Sequence, residues 1–465
     1  MSTTIEAARD FDREHVNWTC NVFNSVVMAL MFGVGFLLLT QIVAFSASLD
    51  TLTGITRSES FILVSRVAAS IVLLLVAKDL AVAALAFGQI TKSDKVEVAS
   101  ATFVGQPKVT TIVPAFNESL TIEDTISSLV DLEYANHEII VVDDGSTDDT
   151  LVKANIAAEK APSGLVRVIS QANGGKWKAL NTGFAEASGE FILCIDSDSI
   201  LKPDALRLMV PHFRDPAVAS VSGQVQVRNK ETFIARLQAL EYLVANGSMR
   251  TAQSGSGCVL IVPGPIGLFR RTALEEVQTN YFTDEGAGTG PFSEHTFAED
   301  FELSVMICAN GGRIVYEPQA CALTRVPDNT RALLSQRYRW IRGAMQVASR
   351  YRREKWGKRS STGMLGRWMA LSTVGDLYVV PFCGLLLIGA TIWSLMLGEV
   401  HAMLSLWTMV LAIHACAALM FIRAQGESMS LALLSPLQSL YGAVLISSVW
   451  THAVADHVRG RAMKW

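Results

Sequence analysis

Two kinds of hydrophobic pattern share this chain, and each predicts a different element. Five stretches are long and almost continuously apolar: residues 25–47, 61–87, 368–397, 403–422 and, less cleanly, 431–453. A bilayer core needs about 20 such residues per helix, so these stretches predict transmembrane helices, two before a polar centre and two or three after it. In that centre, short apolar runs alternate with amphipathic segments. The runs at 109–116, 138–143, 166–170, 190–195 and 218–225 predict strands; the segments at 119–132, 148–159, 176–187 and 203–213 predict helices. A continuous apolar run suits a strand buried on both faces. Strand and helix in alternation predict a mostly parallel sheet covered by helices on both sides. The expected fold class is an α/β domain inserted between transmembrane α-helices.

The expected organisation follows the same pattern. Residues 1–24 form a polar cytosolic segment, 25–90 two transmembrane helices, and 105–345 the α/β domain. Residues 346–367 form a basic interfacial segment, 368–455 two or three further helices, and 456–465 a tail. Arg350, Arg352, Arg353, Lys355, Lys358 and Arg359, with Trp356 and Trp368 close by, suit the cytosolic face of a membrane. Three C-terminal spans would put Arg459, Arg461 and Lys464 outside, and two would keep them inside; the sequence leaves both open. Asp10, Asp12 and Glu14 crowd the start of the first apolar stretch, which argues against a signal peptide. Lys78 and Asp79 interrupt the second stretch and need partners or an interfacial position. A net charge of −4 gives no reason to expect nucleic acid as a partner. Seven cysteines without a C-x-x-C pair read as buried thiols rather than a zinc site.

Candidate chemistry gathers where the runs end. Phe191-Ile-Leu-Cys-Ile-Asp-Ser-Asp-Ser-Ile-Leu201 leaves its apolar part at two carboxylates, Asp196 and Asp198. Such strand ends lie at the carboxyl edge of an α/β sheet, where ligands bind. Side by side the two carboxylates raise each other's pKa. A hard divalent cation removes that penalty, and Mg²⁺ takes one or two carboxylates plus substrate phosphates. Val113-Pro-Ala-Phe-Asn-Glu118 and Val142-Asp-Asp-Gly-Ser-Thr-Asp148 close two other runs in turn residues. They place Glu118 and Asp144 on the same edge, where carboxylates accept from a base N–H or ribose hydroxyls. In Asn173-Gly-Gly-Lys-Trp-Lys-Ala-Leu180, glycines before a helix let backbone approach a ligand, and Lys176 or Lys178 is placed to meet a nucleotide or the acidic edge. Phe297-Ala-Glu-Asp-Phe-Glu-Leu303 sets Glu299 and Asp300 between aromatics, where desolvation suits a general base. Gln336-Arg-Tyr-Arg-Trp340 offers guanidinium for diphosphate and a flat ring for a sugar. Singly, each motif also reads as an ordinary turn, cap or helix start.

Together these motifs resemble the processive family-2 glycosyltransferases, the group of poly-N-acetylglucosamine, hyaluronan, chitin and cellulose synthases. The matching residues are Asp143-Asp144-Gly145-Ser146, Asp196-Ser197-Asp198, Gly264-Pro-Ile-Gly-Leu-Phe-Arg270, Glu299-Asp300 and Gln336-x-x-Arg339-Trp340, between about Val109 and Gly343. Val262-Pro263-Gly264-Pro265 loosely matches the acceptor-lining segment of the hyaluronan and chitin enzymes. Ala298 departs from the family, which has Thr or a small polar residue there.

The resemblance implies a GT-A-type nucleotide-sugar-binding domain, with Glu118, Asp143, Asp144, Lys176 and Asp196 on the donor. It implies Asp196 and Asp198 on Mg²⁺ or Mn²⁺, Asp300 with Glu299 as the catalytic carboxylates, and Gln336, Arg339 and Trp340 on the acceptor and diphosphate. The implied activity is inverting β-polymerisation of a UDP-sugar, with UDP-N-acetylglucosamine the best match, into an exopolysaccharide passed across the membrane. The implied partners are the nucleotide-sugar donor, the growing polysaccharide, membrane lipid and accessory export proteins. The implied location is a bacterial inner membrane, multi-pass, with the catalytic domain cytosolic. A cellulose-like or alginate-like synthase using UDP-glucose or a GDP-sugar stays open. So does a nonprocessive transferase acting on a polyprenyl phosphate, though Gln-x-x-Arg-Trp counts against it. The intact acidic motifs count against a transporter or an interaction protein.

Overall fold

A computed structural model describes residues 59–93, 105–282, 290–294, 296–351, 363–396 and 400–461, with isolated positions between 25 and 40. Most of the stretch at 25–47, the basic segment beyond Tyr351, most of the loop at 284–296 and Lys464 lie outside the described residues. The chain divides into two compact units. One comprises Val98–Tyr242, Gln253–Val374 and Ala453–Trp465; the other comprises Met1–Glu97, Leu243–Ala252 and Gly375–His452.

The first unit is built on an eight-stranded sheet. Its strands are β1 (Val109–Ala115), β2 (His137–Asp143), β3 (Val166–Ser170), β4 (Phe191–Cys194), β5 (Ile200–Leu201), β6 (Val218–Val227), β7 (Gly267–Arg270) and β8 (Arg313–Thr324). Their order is β3-β2-β1-β4-β7-β6-β8-β5. Apolar residues of both parities explain why the early strands read as unbroken runs. Val109, Val113, Ile139, Val141, Phe191 and Leu193 point into one core, with Ile122, Ile126 and Leu129 of the helix Ile122–Val130. Ile112, Ile192 and Cys194 point into a second core on the opposite face, with Leu180 and Phe184 of the helix Lys176–Glu186. Phe191 is fully buried and stacks on Phe213 at 4.2 Å between centroids, so Phe191→Ala would cost about 3–5 kcal/mol.

The expectation of a mostly parallel sheet is corrected. β3, β2, β1 and β4 are parallel, and so are β6 and β8, but β7 runs antiparallel to both β4 and β6, and β5 antiparallel to β8. The sheet is mixed. A four-residue strand such as Gly267–Arg270 carries no signal of direction, because its partners come from distant parts of the chain. The helix expected at 203–213 is also shorter: Ala205–Met209 passes into a 3₁₀ turn at Val210–Arg214, where Pro211 supplies no N–H. In the parallel half, Ala115 lies opposite Asp143 and Ile112 opposite Cys194, so β1, β2 and β4 end on one edge.

The described residues of the second unit are mostly helical. It draws on the helix Glu59–Ser93, on the helix Gly363–Met396 from Gly375 onward, on Val400–Ala424, and on the helical segments from Met429 as far as His452. Among the described residues, Met364–Leu386 is the one helix long and apolar enough to cross a membrane. Lys78 and Asp376, which interrupt separate apolar stretches, pair with each other at 2.7 Å. Pro381 lies inside its helix and cannot donate to the carbonyl four residues earlier. That carbonyl, of Leu377, accepts instead from the Trp450 indole at 2.7 Å.

Candidate active site

Three strand ends supply the acidic edge, and the loops around them are fixed by hydrogen bonds. Asn117 follows β1 in the left-handed region, at φ 57°. Its amide donates to the Ser146 hydroxyl and its side-chain oxygen accepts from the Thr147 amide, which ties the turn after β1 to the turn after β2. Asp148 accepts from the Thr150 amide and hydroxyl and from the Ser119 amide, and these bonds pull its carboxyl down to about 2. Glu118, held by the Thr121 hydroxyl at 2.8 Å, is pushed above its usual value by burial, and the charges of Asp196 and Asp148 push the same way.

Asp143 ends β2, Asp144 follows it, and both are buried. Asp144 does not point a free carboxylate at the edge. It accepts from Gln171 at 2.7 Å and from the amides of Gly174 and Gly175 at 3.0 and 2.7 Å, so its charge builds the loop ahead of Lys176. Asp143 accepts from Ser170, while its Oδ1 has no partner among the described residues.

Lys176 opens its helix and reaches across the edge. Its ammonium lies 2.7 Å from Asp196 and 2.9 Å from Glu299. Burial opposes that charge, but the two carboxylates more than offset it and hold Lys176 well above its usual value. Of the two roles open to this lysine, the structure shows the pairing with the acidic edge. Gly264 packs against the same pair: a Cβ there would stand 2.8 Å from both Asp196 Oδ2 and Lys176 Nζ. Lys176, Asp196, Gly264, Glu299 and Asp300 line one pocket with Pro114, Val262 and Phe292.

Asp198 is turned by the same strand end, with the Ser197 carbonyl pinned by Thr125 at 2.8 Å. Burial first, and the Asp196 charge second, push Asp198 up to about 6, while the hydroxyls of Ser199 and Thr324 donate to it. Lys176 thus answers the charge of Asp196 and Glu299, while the donors to Asp198 among the described residues are hydroxyls. A hard divalent cation fits that arrangement. Among the described residues no group of three or more His, Cys, Asp and Glu gathers as a metal site.

Asp300 sits beside Glu299 at the start of the helix Glu299–Ala309. Burial, then the Glu299 charge, push it up to about 6, against the pull of Lys176. Ser304 fixes this helix start to the pocket wall: its hydroxyl donates to the Asp300 carbonyl at 2.7 Å and accepts from the Val262 amide at 3.1 Å. Asn181 pins the opposite wall through paired bonds to the Phe292 carbonyl and amide, at 2.9 and 3.0 Å.

Gln336, Arg339 and Trp340 lie on the helix Thr330–Tyr351 and not in the lining of that pocket. Arg339 and Trp340 are exposed, and the Gln336 side-chain carbonyl is buried without a donor among the described residues. Arg337 lies over the Trp340 ring at 4.3 Å while it pairs with Glu241 at 2.7 Å, which fixes the ring's orientation. Gly343 joins this helix to the acidic turn: a Cβ there would fall 2.9 Å from the Ala298 nitrogen and 2.8 Å from its Cβ. The small residue at 298 therefore meets a packing constraint. Sequence reasoning missed Gly343, Ser304 and Asn181, because a close approach and a bond to distant backbone leave no local pattern.

The mixed sheet, with its acidic edge on β1, β2 and β4, is of the GT-A type. Residues 107–343 match the family described as glycosyltransferase like family 2, and the chain belongs to that family of enzymes. It is 33% identical over 243 residues to poly-beta-1,6-N-acetyl-D-glucosamine synthase of Staphylococcus aureus, covering 52% of this chain and 56% of the relative. It is equally similar, over 241 residues, to the synthase of the same name from Staphylococcus epidermidis, covering 51% of this chain and 55% of that one. The chain thus spans about half the length of the curated relatives it matches. A mannosyltransferase from Pyrobaculum calidifontis, solved with GDP-Man and Mn²⁺, shares the fold at a TM-score of 0.51 and 21% identity, covering 83% of this chain and 99% of that one.

Proposed function

We propose that the chain is a membrane-embedded, inverting, processive β-glycosyltransferase that polymerises N-acetylglucosamine from its UDP donor. The observation that carries this reading is the pocket in which Lys176 bridges Asp196 and Glu299 beside the raised carboxyl of Asp300. The name shared by the curated relatives supports the sugar, and the apolar stretches support a bacterial inner-membrane location with the transferase domain cytosolic.

In this reading Asp300 takes the proton from the acceptor hydroxyl, and that oxygen attacks the anomeric carbon as the bond to the UDP oxygen breaks. The proton ends on the Asp300 carboxyl, whose raised value suits the task. Glu299 holds Lys176 in place, and Lys176 faces the developing diphosphate charge. Asp198, with Asp196, would hold Mg²⁺ or Mn²⁺, which when bound supplies charge neutralisation to the diphosphate leaving group. Glu118 and the unpartnered oxygen of Asp143 suit the N–H and hydroxyl groups of the nucleoside, and Asp144 contributes through the loop it builds. Gln336, Arg339 and Trp340 close the acceptor and diphosphate side. Growing polysaccharide, lipid and export proteins are the partners this activity requires.

The test is product analysis after purified membranes receive a panel of labelled nucleotide sugars. A β-linked N-acetylglucosamine polymer from the UDP donor is expected. Polymer from UDP-glucose or a GDP-sugar would overturn the sugar, and a single sugar on a polyprenyl phosphate would overturn processivity.

A further inference from the structure

The helix Thr330–Tyr351 presents two opposite faces. Gln336, Trp340 and Gly343, at i, i+4 and i+7, lie on the face joined to the acidic turn. Tyr338, Arg342 and Ser349 lie on the other. All three of the latter bond to one short segment near the end of the described chain. The Tyr338 hydroxyl donates to Asp456 at 2.9 Å, the Arg342 guanidinium to the Arg461 carbonyl at 2.7 Å, and the Ser349 hydroxyl lies 3.1 Å from His457 Nε2. The segment is itself rigid. The Gly460 amide donates to the His457 carbonyl and the Arg461 amide to the Asp456 carbonyl, with Gly460 at φ 63°, which is a Schellman turn. The Arg461 side chain closes it by donating to Asp456 at 3.0 Å. Arg342 is 3% exposed, and the Arg461 carbonyl is the one acceptor its guanidinium has among the described residues.

We infer that the segment Asp456–Arg461 is a clamp that positions the helix carrying Gln336, Arg339 and Trp340, with Asp456 as its principal positioning residue. None of the motifs that mark the site includes this segment. The clamp sets the rotation of the helix about its axis, which decides where Arg339 and Trp340 point. The inference rests on the proposed roles of those side chains, and it is tested by one measurement that does not depend on them.

The experiment compares the wild-type chain with Asp456→Leu, which removes the acceptor for Tyr338 and Arg461, and Asp456→Asn, which keeps an acceptor oxygen. Hydrogen exchange is followed by mass spectrometry across residues 333–346, with peptides of β1 and β4 as internal reference. Asp456→Leu should speed exchange at 333–346 and leave the strands unchanged, and Asp456→Asn should restore most of the protection. Transfer from UDP-N-acetylglucosamine should fall about tenfold or more in kcat for Asp456→Leu with donor KM little changed, as expected for misplacement rather than lost donor binding. Unchanged exchange at 333–346 would overturn the clamp. So would altered exchange with normal kcat, or an equal rise in exchange across the strands, which would mark a general loss of stability. Wild-type protein that transfers no sugar would refute the proposed function, and the exchange comparison alone would then decide the clamp.

Discussion

The surroundings of Asp300 and of Asp198 push each carboxyl up to about 6, and their replacement should separate their roles. Asp300→Asn keeps the shape but cannot take a proton, so polymer synthesis should fall by about 10²-fold or more while UDP binding by calorimetry stays close to wild type. Normal synthesis by Asp300→Asn alongside a dead Glu299→Gln would move the base to the neighbouring carboxylate. A base must be ionised, so the wild-type rate should fall as pH drops through about 6. Stability runs the other way at this residue. A carboxyl raised on folding makes the ionised native state less stable above its folded pKa, so Asp300→Asn should unfold no earlier than wild type at neutral pH. Asp198→Asn, by contrast, should abolish turnover with folding intact, and EDTA should do the same to wild type until Mg²⁺ or Mn²⁺ is restored. Equal rates in EDTA and in metal would remove the ion from the reaction.

The elements carry their own constraints. At Gly343 the neighbouring atoms are backbone and Cβ at 2.8–2.9 Å, which cannot rotate away. Gly343→Ala should therefore shift the turn ahead of Glu299 and Asp300 and lower transfer by about 10- to 10²-fold, with UDP affinity retained. Trp450→Phe should lower the melting midpoint in detergent, because the Leu377 carbonyl loses its donor at a cost of about 1–3 kcal/mol. An unchanged midpoint would mean that the carbonyl has another donor. These contacts also mark where the sequence stopped being informative. β1, β2 and β4 were legible because their apolar residues continue through both parities, and β3 and β6 because valines recur along them, at Val166 and Val168 and at Val221, Val225 and Val227. β7 and β8 were not, since a four-residue strand and a twelve-residue strand of mixed pattern owe their place to distant partners. The acidic motifs were legible as residue types at strand ends, whereas their pairing was not. Nothing local says that Asp144 will be taken by two glycine amides, or that Lys78 will meet Asp376, 298 residues away.

At the scale of the whole molecule, the Schellman turn at Gly460 bears on the path of the chain. Ala453–Trp465 belongs to the same compact unit as Gln253–Val374, so the backbone leaves that unit at Gly375 and rejoins it at Ala453. In the bilayer placement proposed above, a path that starts and ends on one side must cross an even number of times. Three helical lengths lie on that path, within Gly363–Met396, along Val400–Ala424 and from Met429 onward. Parity therefore allows two of them to traverse the bilayer and requires the third to turn back or lie along its surface. It also puts Arg459 and Arg461 on the side of the transferase domain, where the positive-inside tendency places basic residues. Reporters fused after Arg461 and inserted after Lys358 should read the same compartment, and opposite readings would break the parity.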